Sequence, residues 1–243
     1  MKLRNLFSQK EEKKEEIYNT DIIPKEGIFY TENKEIGLGN IEIKLERLNR
    51  GEVFEWENMI VLNRAIGRHF ITDEIKSVVN IGCGVATFEY NNASNHPEIQ
   101  FIASEMDEKS TEWNKDNRPL DNVSYCTSSM DELLSGGKKY DMAVTIDVLE
   151  HVKEYKPFLE EFSKLSDYAV ISTPNRERSI TELSKPTYDH HVQEFNAGEL
   201  YFILKMFYSD VKLYSLPNIY DEKIIKEVGI YSTYHNLIAV CRK

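Results

Sequence analysis

The 243-residue chain is 41% hydrophobic, enough for one sizeable globular core, or a core plus an extension. Its net charge of −11 disfavours general nucleic-acid binding, because an acidic surface repels phosphate backbones. Cys83, Cys126 and Cys241 form no C-x-x-C pair, no apolar run approaches the ~18 residues of a membrane span, and MKLRNLFSQKEEKKEE lacks the apolar stretch of a secretory signal; disulfides, a cysteine zinc site and a membrane span are not expected, and a cytoplasmic location is.

Residues 1–50 read as an N-terminal extension, in which KEEKKEE (10–16) is a solvated charge run. Residues 27–49 are ambiguous: Ile28-Phe29-Tyr30 and Ile41-Glu42-Ile43 are compatible with paired short strands around Gly37-Leu38-Gly39. The main domain spans 51–243. Phe54, Met59, Leu62, Ala65 and Ile66 recur at helical spacing and predict a capping helix over 52–70. Strands follow at 77–81, 99–104, 122–126, 140–146 and 168–173, alternating with helical segments near 85–93, 107–117, 129–135 and 154–166. Such alternation implies an α/β fold with parallel strands and right-handed crossovers. The polar stretch 174–191, with Pro174 and Pro186, reads as a long functional loop. A helix at 197–208 and strands near 210–216 and 233–241, expected as an antiparallel pair, close the chain.

The most informative stretch runs from Val78 to Phe88. A buried strand (Val78-Val79-Asn80-Ile81) enters Gly82-Cys83-Gly84, and a helix-compatible run follows. Glycines in such a turn let backbone approach a ligand that a Cβ would push away, and the helix start offers N–H donors. Glu105 ends the next apolar run, at roughly the 20-residue offset from Gly84 at which an acid meets ribose hydroxyls.

With these residues, Asp147-Val148-Leu149-Glu150-His151 and Ile171-Ser172-Thr173-Pro174-Asn175 in view, the chain resembles class I S-adenosylmethionine-dependent methyltransferases over roughly 76–200. His191-Val192-Gln193-Glu194-Phe195-Asn196 also resembles that family's segment before its sixth strand. The resemblance implies a Rossmann-like, mostly parallel seven-stranded sheet with helices on both faces and an antiparallel last strand. It implies S-adenosylmethionine as cofactor. Asn80, Gly82, Cys83 and Gly84 would lie against its amino-acid end, Glu105 on its ribose and Met106 on its adenine. Ser129 and Met130 match the turn that holds the adenine amino group, and Ile146 and Asp147 would end the fourth strand beside the methyl. Three positions depart from the family pattern: Asn80 and Ser129 stand where aspartates are usual, and Ala86 where a third glycine is.

Methyl transfer needs an aligned, desolvated acceptor, and an alcohol also needs its proton removed or its oxygen polarised. Asp147, Glu150 and His151 stand at i, i+3 and i+4, and share one face if a helix begins at Asp147. His190 or His191 could join them from the loop. Two carboxylates and two imidazoles suit a divalent manganese, iron or zinc ion. The pattern is similar to the metal site of small-RNA 3′-terminal 2′-O-methyltransferases, with His191 in the later histidine's place and Glu194 and Phe195 after it. Metal ligands would then be Glu150, His151 and His191. The metal-free alternative makes His151 the general base, with Asp147 capping the helix and Glu150 and His151 orienting each other. Trp56 and Glu57 could cover the cofactor, Tyr188 could line the acceptor pocket, and Pro174-Asn175 turns the chain into the loop. The leading expectation is O-methylation of a small polar acceptor such as a sugar, sugar nucleotide or glycan precursor. A metal-dependent RNA ribose methyltransferase and a non-catalytic cofactor-binding scaffold remain open, and the sequence assigns no oligomeric state.

Overall fold

Residues 57–178 and 191–243 are described by the structure, a computed structural model. The 1–50 stretch with its expected short strands, the expected 52–56 start of the capping helix with Trp56, and residues 179–190 of the expected loop with Tyr188 and His190 lie outside the described residues.

Five segments form parallel strands: β1 (Ser77–Ile81), β2 (Gln100–Ser104), β3 (Val123–Cys126), β4 (Met142–Ile146) and β5 (Tyr168–Pro174). Three more follow: β6 (Asp210–Ser215), β7 (Lys226–Val228) and β8 (Asn236–Arg242). The sheet order is β3-β2-β1-β4-β5-β8-β6-β7. β8 runs antiparallel between β5 and β6, so the expected closing pair forms, with Leu213 opposite Ala239. Among the described residues the sheet has eight strands rather than the expected seven. The extra one, β7, pairs antiparallel with β6 at the edge. Its three residues are too few to show the alternation by which a strand is read from sequence.

The helices are α1 (Glu57–Phe70), α2 (Thr87–Asn92), α3 (Glu108–Asn117), α4 (Met130–Leu134), α5 (Tyr155–Leu165) and α6 (Ala197–Leu204). Their ends have local causes. α2 starts later than expected because Ala86 adopts φ 53°, a left-handed conformation that cannot continue a helix. α6 stops at Leu204 because its last turn tightens: Met206 N donates to Ile203 O and Phe207 N to Leu204 O, three residues back.

Strand alternation divides the core into two layers. Val78, Met142, Val144, Val170 and Ile238 face α1 and α2, meeting Leu62, Ile66 and Phe88. Val79, Ala143, Ile171, Leu237 and Ala239 face the other side, meeting Leu159 and Phe162 of α5 and Leu200 and Leu204 of α6. Each fully buried side chain of this size contributes about 1.5–3 kcal/mol by leaving water. No helix among the described residues is long and apolar enough to cross a membrane.

Tyr208 lies in the second layer with its hydroxyl buried and without a hydrogen-bond partner among the described residues, and burial pushes its phenol pKa up. A buried polar group without a partner costs about 1–3 kcal/mol. Tyr208→Phe is therefore expected to raise stability by about 1 kcal/mol. Urea unfolding measures it, and a lower midpoint would show that the hydroxyl is satisfied.

Candidate functional site

The carboxyl ends of β1, β2, β4 and β5 meet where the strand order reverses between β1 and β4, the place at which open α/β sheets bind ligands. The turn after β1 is held from β2: Gly82 N and Cys83 N both donate to Ser104 O, at 2.9 and 3.1 Å. Gly82, Gly84 and Ala86 all take positive φ (75°, 55° and 53°). The two glycines have different reasons. A Cβ at Gly82 would come within 2.6 Å of Val148, so packing forbids it. A Cβ at Gly84 would meet no protein atom within 4 Å, so the turn is open on that side. At Ala86 the positive φ explains why the family pattern has glycine; alanine tolerates it at about 1–2 kcal/mol.

Glu105 is drawn into this turn. Its Oε2 accepts from Gly84 N at 2.8 Å and its Oε1 from Asp107 N at 3.2 Å. Each oxygen keeps further acceptor capacity. Asn114 and Arg118 hold the outer backbone by donating to Gly84 O (2.8 Å) and Val85 O (2.5 Å). The Arg118 guanidinium also lies over the rings of Tyr90 and Trp113. Met106, by contrast, is 78% exposed beside Glu105. Ser129 caps α4 in a reciprocal box with Glu132, and Met130 and Ile146 are half-buried.

Sequence reasoning missed Glu89. It is fully buried, and its Oε1 accepts from Asn80 Nδ2 at 2.9 Å. Burial, partly offset by the Asn80 hydrogen bond, raises its carboxyl from the ordinary 4.5 to about 7. Cys83 is buried next to it, and burial together with Glu89 and Glu105 pushes its thiol up. The signal for Glu89 was an acid immediately after Phe88, which packs into the core.

The Asp147–His151 run differs from the expected helix. Asp147 adopts φ 52°, and only Leu149–His151 forms a short 3₁₀ turn whose N-cap is Val148. Asp147 thus neither starts nor caps a helix. Ser172 holds it instead: Ser172 Oγ donates to Asp147 Oδ1 at 2.8 Å, and Asp147 N donates to Ser172 O at 3.1 Å. Glu150 points inward, accepting from Thr173 Oγ1 at 3.0 Å. Burial, then the nearby Asp147 charge, pushes its carboxyl well above the usual carboxylate range. Glu150 therefore pairs with Thr173 and faces His191.

His191 is brought there by backbone. Val192 N and Gln193 N both donate to Glu150 O, at 2.9 and 3.2 Å. Gln193 Nε2 donates to Leu149 O and Val152 O. Arg176 clamps the same segment, donating to Glu194 O at 3.1 Å and pairing with Glu199 at 2.5 Å. His191 Nδ1 lies 2.6 Å from Glu194 Oε1, and its Nε2 lies 4.0 Å from Glu150 Oε1. The ring meets that of His151 edge-on at 4.9 Å. Ligand atoms of Glu150, His151 and His191 lie within 4.8 Å of one another. A buried carboxylate beside two imidazoles, one with its second nitrogen on a carboxylate, is a donor set that fits a divalent transition ion. Glu194 and Thr173 set these orientations; both stand in runs that carry the family resemblance, but their roles toward His191 and Glu150 were not legible there.

A shallow groove at the opposite edge of the sheet is no rival. Two of its three acids are already held, Asp141 by the Lys76 and Ser77 amides and Asp167 by Lys139 at 2.8 Å.

No protein-family model and no curated protein sequence matches the chain. Solved structures do. A SAM-dependent methyltransferase from Thermotoga maritima, described as a possible histamine N-methyltransferase, superposes with a TM-score of 0.60 at 15% identity, covering 84% of this chain and 98% of that one. The plantazolicin methyltransferase BpumL, in complex with SAH and a triazolic desmethylPZN analogue, gives 0.59 at 12%, over 85% and 92% of the two chains. The N-terminal domain of EvdMO1, in the presence of SAH and D-fucose, gives 0.55 at 13%, over 79% and 85%. The chain has the fold of these methyltransferases. That fold places the glycine turn and the Glu150–His191 cluster on one edge of one sheet.

The raised Glu89 carboxyl has a sign that can be checked. The native state holds this proton up to about pH 7, whereas the unfolded chain loses it near 4.5. Native stability should therefore fall as pH rises from 4.5 to 7, by on the order of 3 kcal/mol from this group. Glu89→Gln is expected to leave stability at pH 4 unchanged and to raise it at pH 8. Denaturant titrations at the two pH values test it, and equal effects at both would contradict the assignment.

Proposed function

We propose that this chain is an S-adenosylmethionine-dependent methyltransferase that methylates a hydroxyl group of a small polar acceptor, such as a sugar, sugar nucleotide or glycan precursor. The observation that carries the reading is the pairing of an open glycine turn with a buried imidazole–carboxylate cluster at the same sheet edge. The methyltransferase fold and the SAH bound in its neighbours support the cofactor. The presence of D-fucose with one of those neighbours supports a sugar-like acceptor.

The cofactor would supply an electrophilic methyl group on a sulfonium centre. Gly82, Cys83, Gly84 and Asn80 would flank its amino-acid end, Glu105 its ribose, and Met106, Ser129 and Met130 its adenine, with Ile146 and Asp147 beside the methyl. The remaining chemistry belongs to the acceptor side. Glu194 holds the proton on His191 Nδ1, which leaves Nε2 as a proton acceptor. His191 Nε2 is thus the group we assign to receive the acceptor's hydroxyl proton, with His151 opposite it and Glu150 beside it. Burial of this segment strengthens its polar contacts and excludes water from a competing role. A divalent ion, if resident, would be held by Glu150, His151 and His191 and would polarise the acceptor oxygen.

The defining experiment is calorimetry with SAH, followed by mass spectrometry of a hydroxyl-bearing acceptor panel with S-adenosylmethionine. A one-methyl mass gain on a sugar or sugar nucleotide is the expected result. SAH binding with turnover on no acceptor would favour the scaffold reading. Activity before and after chelation, with metal add-back, separates an ion-assisted site from a bare imidazole base.

Gly84→Ala should weaken SAH binding by about 1–3 kcal/mol of steric overlap, roughly ten- to hundredfold in Kd, while the domain stays folded. An unchanged Kd would remove the turn from the cofactor site. His191→Ala should lower kcat by about 10²–10⁴-fold, the range of a general base, with SAH affinity nearly constant. Wild-type turnover in that variant would make the histidine structural.

A further inference from the structure

β5 is hydrophobic from Tyr168 to Ile171 and then carries two hydroxyls, Ser172 and Thr173, both fully buried. Packing in a strand covered on both faces asks for apolar residues, so the hydroxyls have another cause. The register supplies it. Ser172 stands opposite Ile146, the last residue of β4, and Asp147 follows where the chain leaves the sheet. One hydroxyl grips Asp147 at two atoms: Ser172 Oγ donates to Asp147 Oδ1 at 2.8 Å and accepts from Asp147 N at 3.2 Å. Side chain and backbone of the aspartate are thus fixed together at φ 52°, a conformation that most L-residues resist.

The left-handed turn reaches both halves of the crevice. Val148, the next residue, packs onto the glycine turn: a Cβ at Gly82 would lie 2.6 Å from Val148 Cγ2. Two residues further, Glu150 accepts from Thr173 Oγ1 and stands 4.0 Å from His191 Nε2, and the His151 ring meets that of His191 edge-on. Thr145 Oγ1 donates to Ile81 O at 3.0 Å, so the strand leading into the turn is tied to the end of β1 as well. Residues 147–151 therefore touch the glycine turn at one end and the imidazole cluster at the other. Their course depends on the direction taken at Asp147, and an ordinary negative φ there would send the chain away from β4 along another path.

We propose that Ser172 is a positioning residue for methyl transfer: by locking Asp147 left-handed it sets the spacing between the glycine turn and His191, and with it the alignment of methyl donor and acceptor hydroxyl. This assignment rests on the methyltransferase reading above. Displacement at carbon needs the reacting atoms in line and about 3–3.5 Å apart, and a misplacement of about 1 Å costs on the order of a hundredfold in rate. Ser172 touches neither reactant in this scheme; its hydroxyl acts through Asp147. Ground-state affinities are shared among many contacts and depend less on that alignment than the rate does.

Kinetics and NMR on the full chain test the assignment. Ser172→Ala should lower kcat about ten- to hundredfold on the acceptor that the wild type methylates, with SAH Kd and acceptor KM held within about twofold. An unchanged kcat, or a loss confined to KM or to SAH Kd, overturns the proposal. A second comparison stands even if Ser172→Ala does not fold. Asp147→Gly and Asp147→Ala both remove the carboxylate, but only glycine takes positive φ freely. The glycine variant should therefore keep about tenfold more activity than the alanine variant. Adding Ser172→Ala to Asp147→Gly should slow it by less than about twofold, because no locked side chain is left to lose. Equal activities of the glycine and alanine variants, or a full additive loss in the double variant, overturn the proposal. The imidazole contact gives a readout without any acceptor. The NOE between the His151 and His191 rings, 4.9 Å apart, should persist in Asp147→Gly and weaken in Ser172→Ala and Asp147→Ala. The same NOE in all forms overturns the proposal. Wild-type turnover on no acceptor overturns the functional reading instead, and the NOE then decides by itself whether Ser172 positions the cluster.

Discussion

Keeping carboxylates out of water is the constraint on which the carboxyl edge of this protein depends. Glu89, Glu150, Glu194 and Glu199 are each at most 4% exposed. An isolated buried carboxylate costs several kcal/mol unless it is paired, hydrogen-bonded or protonated. The four solve this in different ways. Glu199 has Arg176, and Glu194 has the His191 ring. Glu150 has a threonine hydroxyl and an imidazole 4.0 Å away, and Glu89 has an amide. The first two are ion-paired, though burial still raises the Glu199 carboxyl. The latter two leave carboxyls that favour the protonated form, and such incompletely compensated groups concentrate where chemistry is done.

The two kinds work together. Arg176 and Glu199 fix the 194–199 segment, and the Val192 and Gln193 amides fix its start onto Glu150. Only with that double tie does His191 face Glu150 and His151. The left-handed residue Asp147 contributes in the same way, turning the chain at the end of β4 so that Glu150 faces inward. Asparagine and aspartate accept this conformation more readily than most residues, and Ser172 secures it.

Structural neighbours at 12–15% identity show how little sequence is needed to keep this architecture. A doubly wound sheet asks for apolar alternation, short turns and a right-handed path, which many sequences satisfy. Chemistry asks for particular atoms within an ångström of a required position, which few do. The fold is thus a weak guide to the acceptor, and the side chains along the sheet edge carry that information.

What the sequence determined by itself was local. Periodicity in Val78–Ile81, Met142–Ile146 and Tyr155–Leu165 sufficed for strands and helices, and Gly82-Cys83-Gly84 for the turn, because those patterns reflect each residue's own backbone and burial preferences. β7 escaped because three residues hold no period. The spacing of Asp147, Glu150 and His151 suggested a shared helical face, but a single left-handed residue broke it. Only tertiary structure decided that Glu89 meets Asn80, that Glu194 orients His191 and that Glu150 lies between Thr173 and His191. Those contacts join segments brought together by sheet order, and a linear pattern holds no record of which chain end a parallel crossover will deliver to its neighbour.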